Sequence, residues 1–285
     1  MREPIARLQC PIMDALIVCL WICAGACAAT WTASLISGEH SWVDRIWSII
    51  PVGYVAVFAA SADFADTRLN VLTALVLLWG ARLTFNFARR GGYAPGGEDY
   101  RWAILRARLT PWQFQVFNLL FITVYQNIIL LLISLPADTA LSHPRPFGAL
   151  DAALAVVFLA LLAGETVADQ QQWSFHRRKH AAVAAGQEPE SRFLRTGLFK
   201  YSRHPNYFFE QAQWWVVFGF GAVAAGSVAQ WTVLGAVLLT ALFVGSTVFT
   251  ESITRSRYPE YADYQAVTSP IVPWPPRRGA SAAIR

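Results

Sequence analysis

An all-α integral membrane bundle of about seven transmembrane helices is the fold class that this sequence predicts. Two observations on composition lead there. Of 285 residues, 55% are hydrophobic and only 14% charged, where a soluble domain carries closer to ~25% charged residues. The apolar residues also gather in runs of ~20, about the length that crosses a bilayer as a helix. A third observation removes the β alternative, since nothing shows the ~10-residue alternation of a membrane barrel.

The first run, Ile12–Ile36, follows Arg2 and Arg7 in the manner of a secretion signal. At ~25 residues it is longer than a signal core, so it is expected to stay as a span. Cys19, Cys23 and Cys27 recur every four residues on one face of it. Without histidine partners nearby they read as small polarizable packing residues rather than metal ligands. Cys10 has no evident partner, so no disulfide is expected. Further runs are Ile46–Ala62, Val71–Phe87, Phe114–Leu135, Leu150–Val167, Phe208–Val223 and Val228–Phe249. Gly91–Asp99 is a loop by its glycine and proline content, and Pro270–Arg278 reads as a tail. No repeat of fixed period divides the chain, so residues 1–285 are expected to form one domain.

Arginine placement sets an orientation. Arg82, Arg89, Arg90, Arg101, Arg106 and Arg108 lie at the end of the third run and after it. Arg177, Arg178, Lys179, Arg192, Arg195, Lys200 and Arg203 follow the fifth, and the tail adds Arg255, Arg257, Arg277 and Arg278. The positive-inside rule then puts these loops and the C-terminus in the cytoplasm and the N-terminus outside. The net charge of +5 thus describes topology. No nucleic-acid motif accompanies it, so no nucleic-acid partner is expected.

Polar residues concentrate near the cytoplasmic helix ends. The densest group runs from Gly197 through Tyr201, Arg203, His204, Pro205, Asn206 and Tyr207 to Glu210. Pro205 suits the first turn of a helix, after which Asn206, Glu210 and Gln213 share one face. An interfacial loop with basic anchors would explain Lys200 and Arg203 but not Asn206 and Glu210. Glu165, Asp169, Gln172 and His176 form a second stripe, and Glu251, Arg255 and Tyr258 a third, followed by Tyr261 and Tyr264. Glu98-Asp99-Tyr100-Arg101-Trp102 suits either ribose and base contacts or an interfacial aromatic anchor. Intramembrane carboxylates are costly and should face the bundle interior. Together the stripes predict one cavity open to the cytoplasm. Arginine forks favour phosphate and carboxylates accept from ribose hydroxyls, so a phosphorylated dinucleotide meets both demands. The Rossmann and Walker loops, the zinc helix and the nucleophile elbow are all missing, so such a ligand would bind in the helical bundle itself.

The pieces Leu78-Trp79-Gly80-Ala81-Arg82-Leu83, Glu98-Asp99-Tyr100-Arg101, Glu165 with Asp169, Gly197–Glu210 and Glu251–Pro273 resemble the steroid 5α-reductase superfamily, especially its bacterial branch of uncharacterised membrane proteins. The resemblance implies a membrane reductase with NADPH among the C-terminal helices (98–274) and a lipophilic substrate on the N-terminal side (12–87). It also implies a bacterial inner-membrane location. Asn206 and Glu210 would then meet the nicotinamide, Asp169 a sugar or adenine group and Arg192 a phosphate, with Glu165 also on the cofactor. Trp214 would wall the pocket, with Arg101, Tyr201, Arg203, His204, Tyr207, Glu251 and Tyr264 as further members. The animal enzymes carry a Gln-Glu pair and a tyrosine where this chain offers Asp44-Arg45 and Trp79, so the cofactor half matches theirs and the substrate half departs from it. For a proton donor to the carbonyl oxygen of an enone, Tyr54, Tyr125 and Asp44 have suitable chemistry. Two rivals share parts of the pattern. One is an isoprenylcysteine-type carboxyl methyltransferase using S-adenosylmethionine, the other a non-catalytic lipid- or sterol-binding membrane protein.

Overall fold

The structure is a computed structural model, and it describes residues 15–277. Cys10, Arg278 and the start of the first expected span lie outside the described residues. Helices make up almost all regular structure among them, and the one β contact is an isolated bridge between Ser202 and Ser269.

Five helical stretches are long and apolar enough to cross a membrane: Ala15–Ser37 (α1), Thr67–Arg89 (α4), Pro111–Ser142, Ala149–Ala184 (α9) and Val233–Arg257 (α11). About seven were expected, and the difference has two physical sources. The run Ile46–Ala62 is broken into a short helix, Trp42–Ile46 (α2), and a 12-residue helix, Ile50–Ser61 (α3), which Pro51 opens. At 1.5 Å per residue α3 is about 18 Å long, short of the ~30 Å hydrocarbon core. The sixth run belongs to Pro205–Ala225 (α10), a 21-residue helix that buries Glu210, Gln211 and Gln213 in its first half. That polarity spoils it as an uninterrupted apolar span.

The Pro111–Ser142 stretch is itself composite. It comprises Pro111–Phe117 (α6), a π-helical segment Asn118–Tyr125, Gln126–Ser134 (α7) and Pro136–Ser142 (α8). Wide turns of this kind re-aim backbone carbonyls, and α1 meets several of them. The thiols of Cys23 and Cys27 lie 3.7 and 4.0 Å from the carbonyls of Asn127 and Thr123, and the Cys19 thiol lies 3.9 Å from that of Tyr54. The cysteine stripe is therefore a packing face against α3 and the π segment. Asn118 and Asn127 extend it with hydrogen bonds to Ser34 and Thr30 at 3.0 and 3.4 Å.

Helix α9 runs for 36 residues, about 54 Å, and so outreaches a bilayer core by several turns. Its apolar half packs on α10, which in turn covers α8, while α3 packs on α4 and α11 on α7. Small residues permit the closest approaches. A Cβ on Gly235 would sit 2.4 Å from the Leu132 carbonyl oxygen, and one on Gly80 2.5 Å from that of Ser48. Short connectors complete the chain: Tyr100–Arg106 (α5), a 3-10 turn Gly197–Lys200, and Tyr261–Val267 (α12).

One ion pair fixes the far end of the bundle. Arg68, in the first turn of α4, clasps both carboxylate oxygens of Asp151, in the first turn of α9, at 2.6 and 2.9 Å. Both side chains are 1% exposed, and Arg68 also donates to the Arg145 carbonyl at 3.2 Å. Removing one member strands a buried charge, whereas removing both does not. Arg68→Met or Asp151→Asn alone is expected to lower unfolding free energy by about 3 kcal/mol. Arg68→Met with Asp151→Leu should recover most of that loss. Detergent-solubilised thermal or denaturant melts of the three variants check it, and additive losses in the double variant would refute it.

Candidate functional site

Three helices converge on a single guanidinium. α4 carries Trp79 and Arg82 three residues apart, hence on one face. α9 brings Glu165 and Asp169 at four-residue spacing, and α10 brings Glu210, Gln213 and Trp214. Arg82 meets Glu165 at 2.8 Å, Asp169 at 2.5 Å and Glu210 at 3.2 Å. Gln213 donates to Glu165 at 2.6 Å and the Trp79 indole to Glu210 at 3.1 Å. Arg90, just past α4, approaches Asp169 at 3.7 Å. The rings of Trp79 and Trp214 meet edge to face, centroids 4.8 Å apart.

Glu165, Asp169 and Glu210 are buried, at 3%, 4% and 5% exposure. Several neighbouring atoms nevertheless lack any partner: Glu210 Oε1, Gln213 Oε1, Gln172 Oε1, Trp214 Nε1 and Arg82 Nε. Buried polar atoms without partners are rare and mark places where a ligand, ion or water completes the set. The cluster is thus both charged and chemically unsaturated.

A second knot uses the other half of the 197–210 motif. Arg203 forks onto Glu251 at 2.6 and 2.9 Å and donates to the backbone carbonyls of Gln265 and Thr268. His204 Nε2, the Tyr261 hydroxyl and the Gln265 amide reach the same carboxylate at 3.1, 3.3 and 2.8 Å. Tyr264 donates to the Phe199 carbonyl. Burial raises the phenol pKa of both Tyr261 and Tyr264 above the ordinary value, so each stays protonated and able to donate. Backbone bonds from Arg203 to Ser269 (2.8 Å), His204 to Pro270 (3.1 Å) and Trp274 to Tyr201 (2.9 Å) bind the motif to the C-terminal segment. Arg203, Glu251 and Tyr264 therefore spend their hydrogen-bonding capacity inside the protein. His204 stacks on Tyr207, centroids 5.1 Å apart, and half-buried Asn206 lies beside them in the first turn of α10.

The three stripes expected to line one cavity thus form two knots on either side of the α10 entrance. An open groove of about 600 Å³ flanks the second knot, lined by Val248, Glu251, Ser252, Arg255, Ser256 and Gln265. Arg192 lies elsewhere. It is 56% exposed on its side chain and faces Glu260 at 3.9 Å, so Arg90 and not Arg192 stands beside the buried cluster. Tyr201 is exposed at the surface.

The Glu98–Trp102 segment serves as a junction. Asp99 caps α5, and Arg101 grips Asp99 at 2.6 Å while bonding Ser246 of α11. Glu98 holds His40 at 3.0 Å and Arg106 at 3.0 Å. Asp44 lies within the field of Asp99 and Arg101, and burial first, with Asp99 second, pushes its carboxyl up to about 6. The two tyrosine candidates have other neighbours. Tyr54 is fully buried on α3 beside Cys23, and Tyr125 stacks on Phe121, centroids 5.3 Å apart.

The residue that sequence reasoning missed is Arg82. In the chain it is one of the basic residues that set topology and part of the Leu78–Leu83 piece that carries the resemblance, with no site role assigned to it. The available signal was its position inside an apolar run, one turn after Trp79, where a lone cation needs a partner.

A helical membrane-type protein built around a buried arginine–carboxylate cluster is the class that this geometry defines. A family described as "Protein of unknown function (DUF1295)" matches residues 30–268, and the chain belongs to it. An uncharacterized protein of Schizosaccharomyces pombe is 36% identical over 250 residues, covering 82% of this chain and 73% of its own. No solved structure matches the chain.

Asp44 supplies a pH prediction. Its folded-state pKa lies above the ordinary 3.8, so the native state holds the proton more tightly than the unfolded chain. That stability is present below about 3.8 and is lost as pH rises through about 6. Asp44→Asn is therefore expected to melt higher than the parent at roughly pH 8, with the gap closing towards roughly pH 4. Melts across that range check it, and a variant less stable at high pH would contradict it.

Proposed function

We propose that this protein is a membrane-embedded NADPH-dependent reductase of a carbon–carbon double bond in a lipophilic enone, similar in chemistry to steroid 5α-reductases. The observation that carries the reading is the unsaturated polar cluster around Arg82, on the helices that hold the Gly197–Glu210 motif. Glu210 Oε1 and Gln213 Oε1 are buried acceptors and Trp214 Nε1 a buried donor, all without partners. Unpartnered acceptors and a donor from one helix suit a carboxamide, and half-exposed Arg90 beside Asp169 suits a phosphate or ribose. On these grounds the residues fit a nicotinamide dinucleotide.

NADPH, when bound, supplies a hydride to the β-carbon of a polarised double bond. Arg82 holds Glu210, and thereby fixes the acceptor that orients an amide. Trp79 and Trp214 offer broad aromatic faces and keep water away from that end of α10. Asn206 adds a donor and acceptor one turn earlier. A group aimed at the carbonyl oxygen of the substrate lowers the barrier by a few kcal/mol, to an order of magnitude. Asp44, Tyr54 and Tyr125 are the donors that we assign to that search, on the N-terminal side. The finer membrane reading belongs here as well. We infer seven membrane-inserted segments, with α3 and α10 as short ones, in a bacterial inner membrane. The N-terminus faces outward and the C-terminus the cytoplasm.

Thermal stability in detergent is expected to rise with NADPH, by about 2.7 kcal/mol at a hundredfold excess over Kd. Stabilisation by S-adenosylmethionine with no response to NADPH would replace this reading with methyl transfer. Stabilisation by lipids or sterols alone would leave a binding protein.

Glu210→Gln and Asn206→Ala should each weaken NADPH binding by ~10- to 100-fold while the protein still folds, because the first loses a charge-assisted hydrogen bond of about 1.5–3 kcal/mol and the second both the donor and the acceptor of an amide. Direct titration of the folded variants measures this, and parental affinity in both would sink the site assignment. NADPH consumption across steroid, isoprenoid and short-chain enones should favour the lipophilic ones. Turnover confined to small hydrophilic enones would overturn the lipophilic pocket.

A further inference from the structure

Helix α11 carries one continuous exposed face along most of its length. Val237, Ala241, Val244, Val248, Ser252 and Arg255 follow one another at intervals of three or four residues, and all six are exposed. That spacing keeps them on a single stripe. From Val237 to Val248 the stripe is apolar and rises about 17 Å, close to half of the ~30 Å hydrocarbon core. An acyl chain of one leaflet has that reach. Just beyond it the stripe turns polar and enters the groove of about 600 Å³, whose lining includes Val248, Ser252, Arg255 and Ser256.

The charge in this groove is that of Arg255. Among the described residues Arg255 has no ion pair and no hydrogen bond. Glu251, on the floor, is already balanced by the Arg203 fork at 2.6 and 2.9 Å. Ser252 and Ser256 donate to the Phe249 and Ile253 carbonyls at 2.7 and 2.8 Å, which leaves both hydroxyl oxygens as acceptors. A smaller groove of about 360 Å³ adjoins through Gln265 and is lined in part by Trp274 and Arg277. Trp274 is 69% exposed, and an exposed indole with arginines around it marks the level of a membrane–water boundary. The groove thus combines a free cation, hydroxyl acceptors and an apolar track leading away from them at headgroup height.

We propose that an anionic phospholipid binds here, with its phosphate on Arg255, headgroup hydroxyls on Ser252 and Ser256, and one acyl chain along the stripe from Val248 to Val237. A charge-assisted contact to the guanidinium favours the phosphate, and burial of the chain adds what a single exposed arginine does not supply. A choline headgroup has no hydroxyl donors for the serines and brings a second cation towards Arg255. Phosphatidylglycerol meets all three demands. The bound lipid covers the outer side of Glu251 and Gln265, and so braces the knot that holds the start of α10. This site rests on the membrane setting of the long apolar helices and is independent of the nicotinamide reading.

Native mass spectrometry of the full chain, delipidated in detergent and titrated with phosphatidylglycerol or phosphatidylcholine of the same chains, tests it. One phosphatidylglycerol should be retained with a preference of ~tenfold or more. Arg255→Gln, an exposed substitution, should remove that preference. Arg257→Gln deletes the same charge about 200° round the helix and should keep it. Equal retention of the two lipids by the parent overturns the proposal, as does an unchanged preference in Arg255→Gln. Equal losses in both variants would reduce the effect to net charge and refute a site at Arg255. Glycerol 1-phosphate in large excess should leave the lipid in place. Its displacement of phosphatidylglycerol would make this a site for a soluble phosphate and sink the lipid assignment.

Discussion

The guanidinium of Arg82 is the constraint from which the interior of this protein follows. A buried cation is tolerated only when paired and hydrogen-bonded, and the nearest carboxylates come from two other helices. Satisfying it fixes the rotation and register of α4, α9 and α10 together, because Glu165, Asp169 and Glu210 reach it only when those faces meet. The edge-to-face contact of Trp79 with Trp214 is a consequence of the same register. Arg68 and Asp151 repeat the device in the first turns of α4 and α9, so that helix pair is pinned at two levels.

The Gly197–Glu210 segment divides its labour between two sides. Its first part, through Arg203 and His204, is bound to Glu251, α12 and the C-terminal segment by a dense set of side-chain and backbone bonds. Its last residue faces the Arg82 cluster. Such a division explains why one motif contains residues of such different character. Arg203 forks onto a carboxylate and leaves little unsatisfied, whereas Glu210 keeps a buried oxygen with no donor. The clamped half holds the start of α10 in place, and the open half is where a ligand has something to gain.

Between α1, α3 and the π segment runs a different kind of interior, polar but uncharged. Thiols, hydroxyls and amides of Cys23, Thr30, Ser34, Asn118 and Asn127 meet one another and backbone carbonyls. Small polar groups of this kind let helices approach closely and link them by hydrogen bonds where hydrophobicity gives no preference for helix over lipid. α1, α3 and the π segment are thus held together by packing and weak polar contacts, and α4, α9 and α10 by buried charge.

Much of the architecture was legible in the sequence, for physical reasons that act locally. Apolar runs of bilayer length, the four-residue spacing of the cysteines and of Glu165 with Asp169, and Pro205 at the head of α10 each depend on neighbours along the chain. Helical periodicity turns such neighbours into a face without further information. The break in Ile46–Ala62 was visible only as Pro51, and the polarity of α10 was read as a site, not as a reason it fails as a plain span. The tertiary structure alone decided which polar faces meet. It brought Arg82, which the chain gave no site role, to the centre of three carboxylates. It set Arg192 at the surface, and it spent Arg203, Glu251 and Tyr264 on holding the fold. Pairing across helices depends on rotation and depth between segments more than eighty residues apart, and no local spacing encodes those.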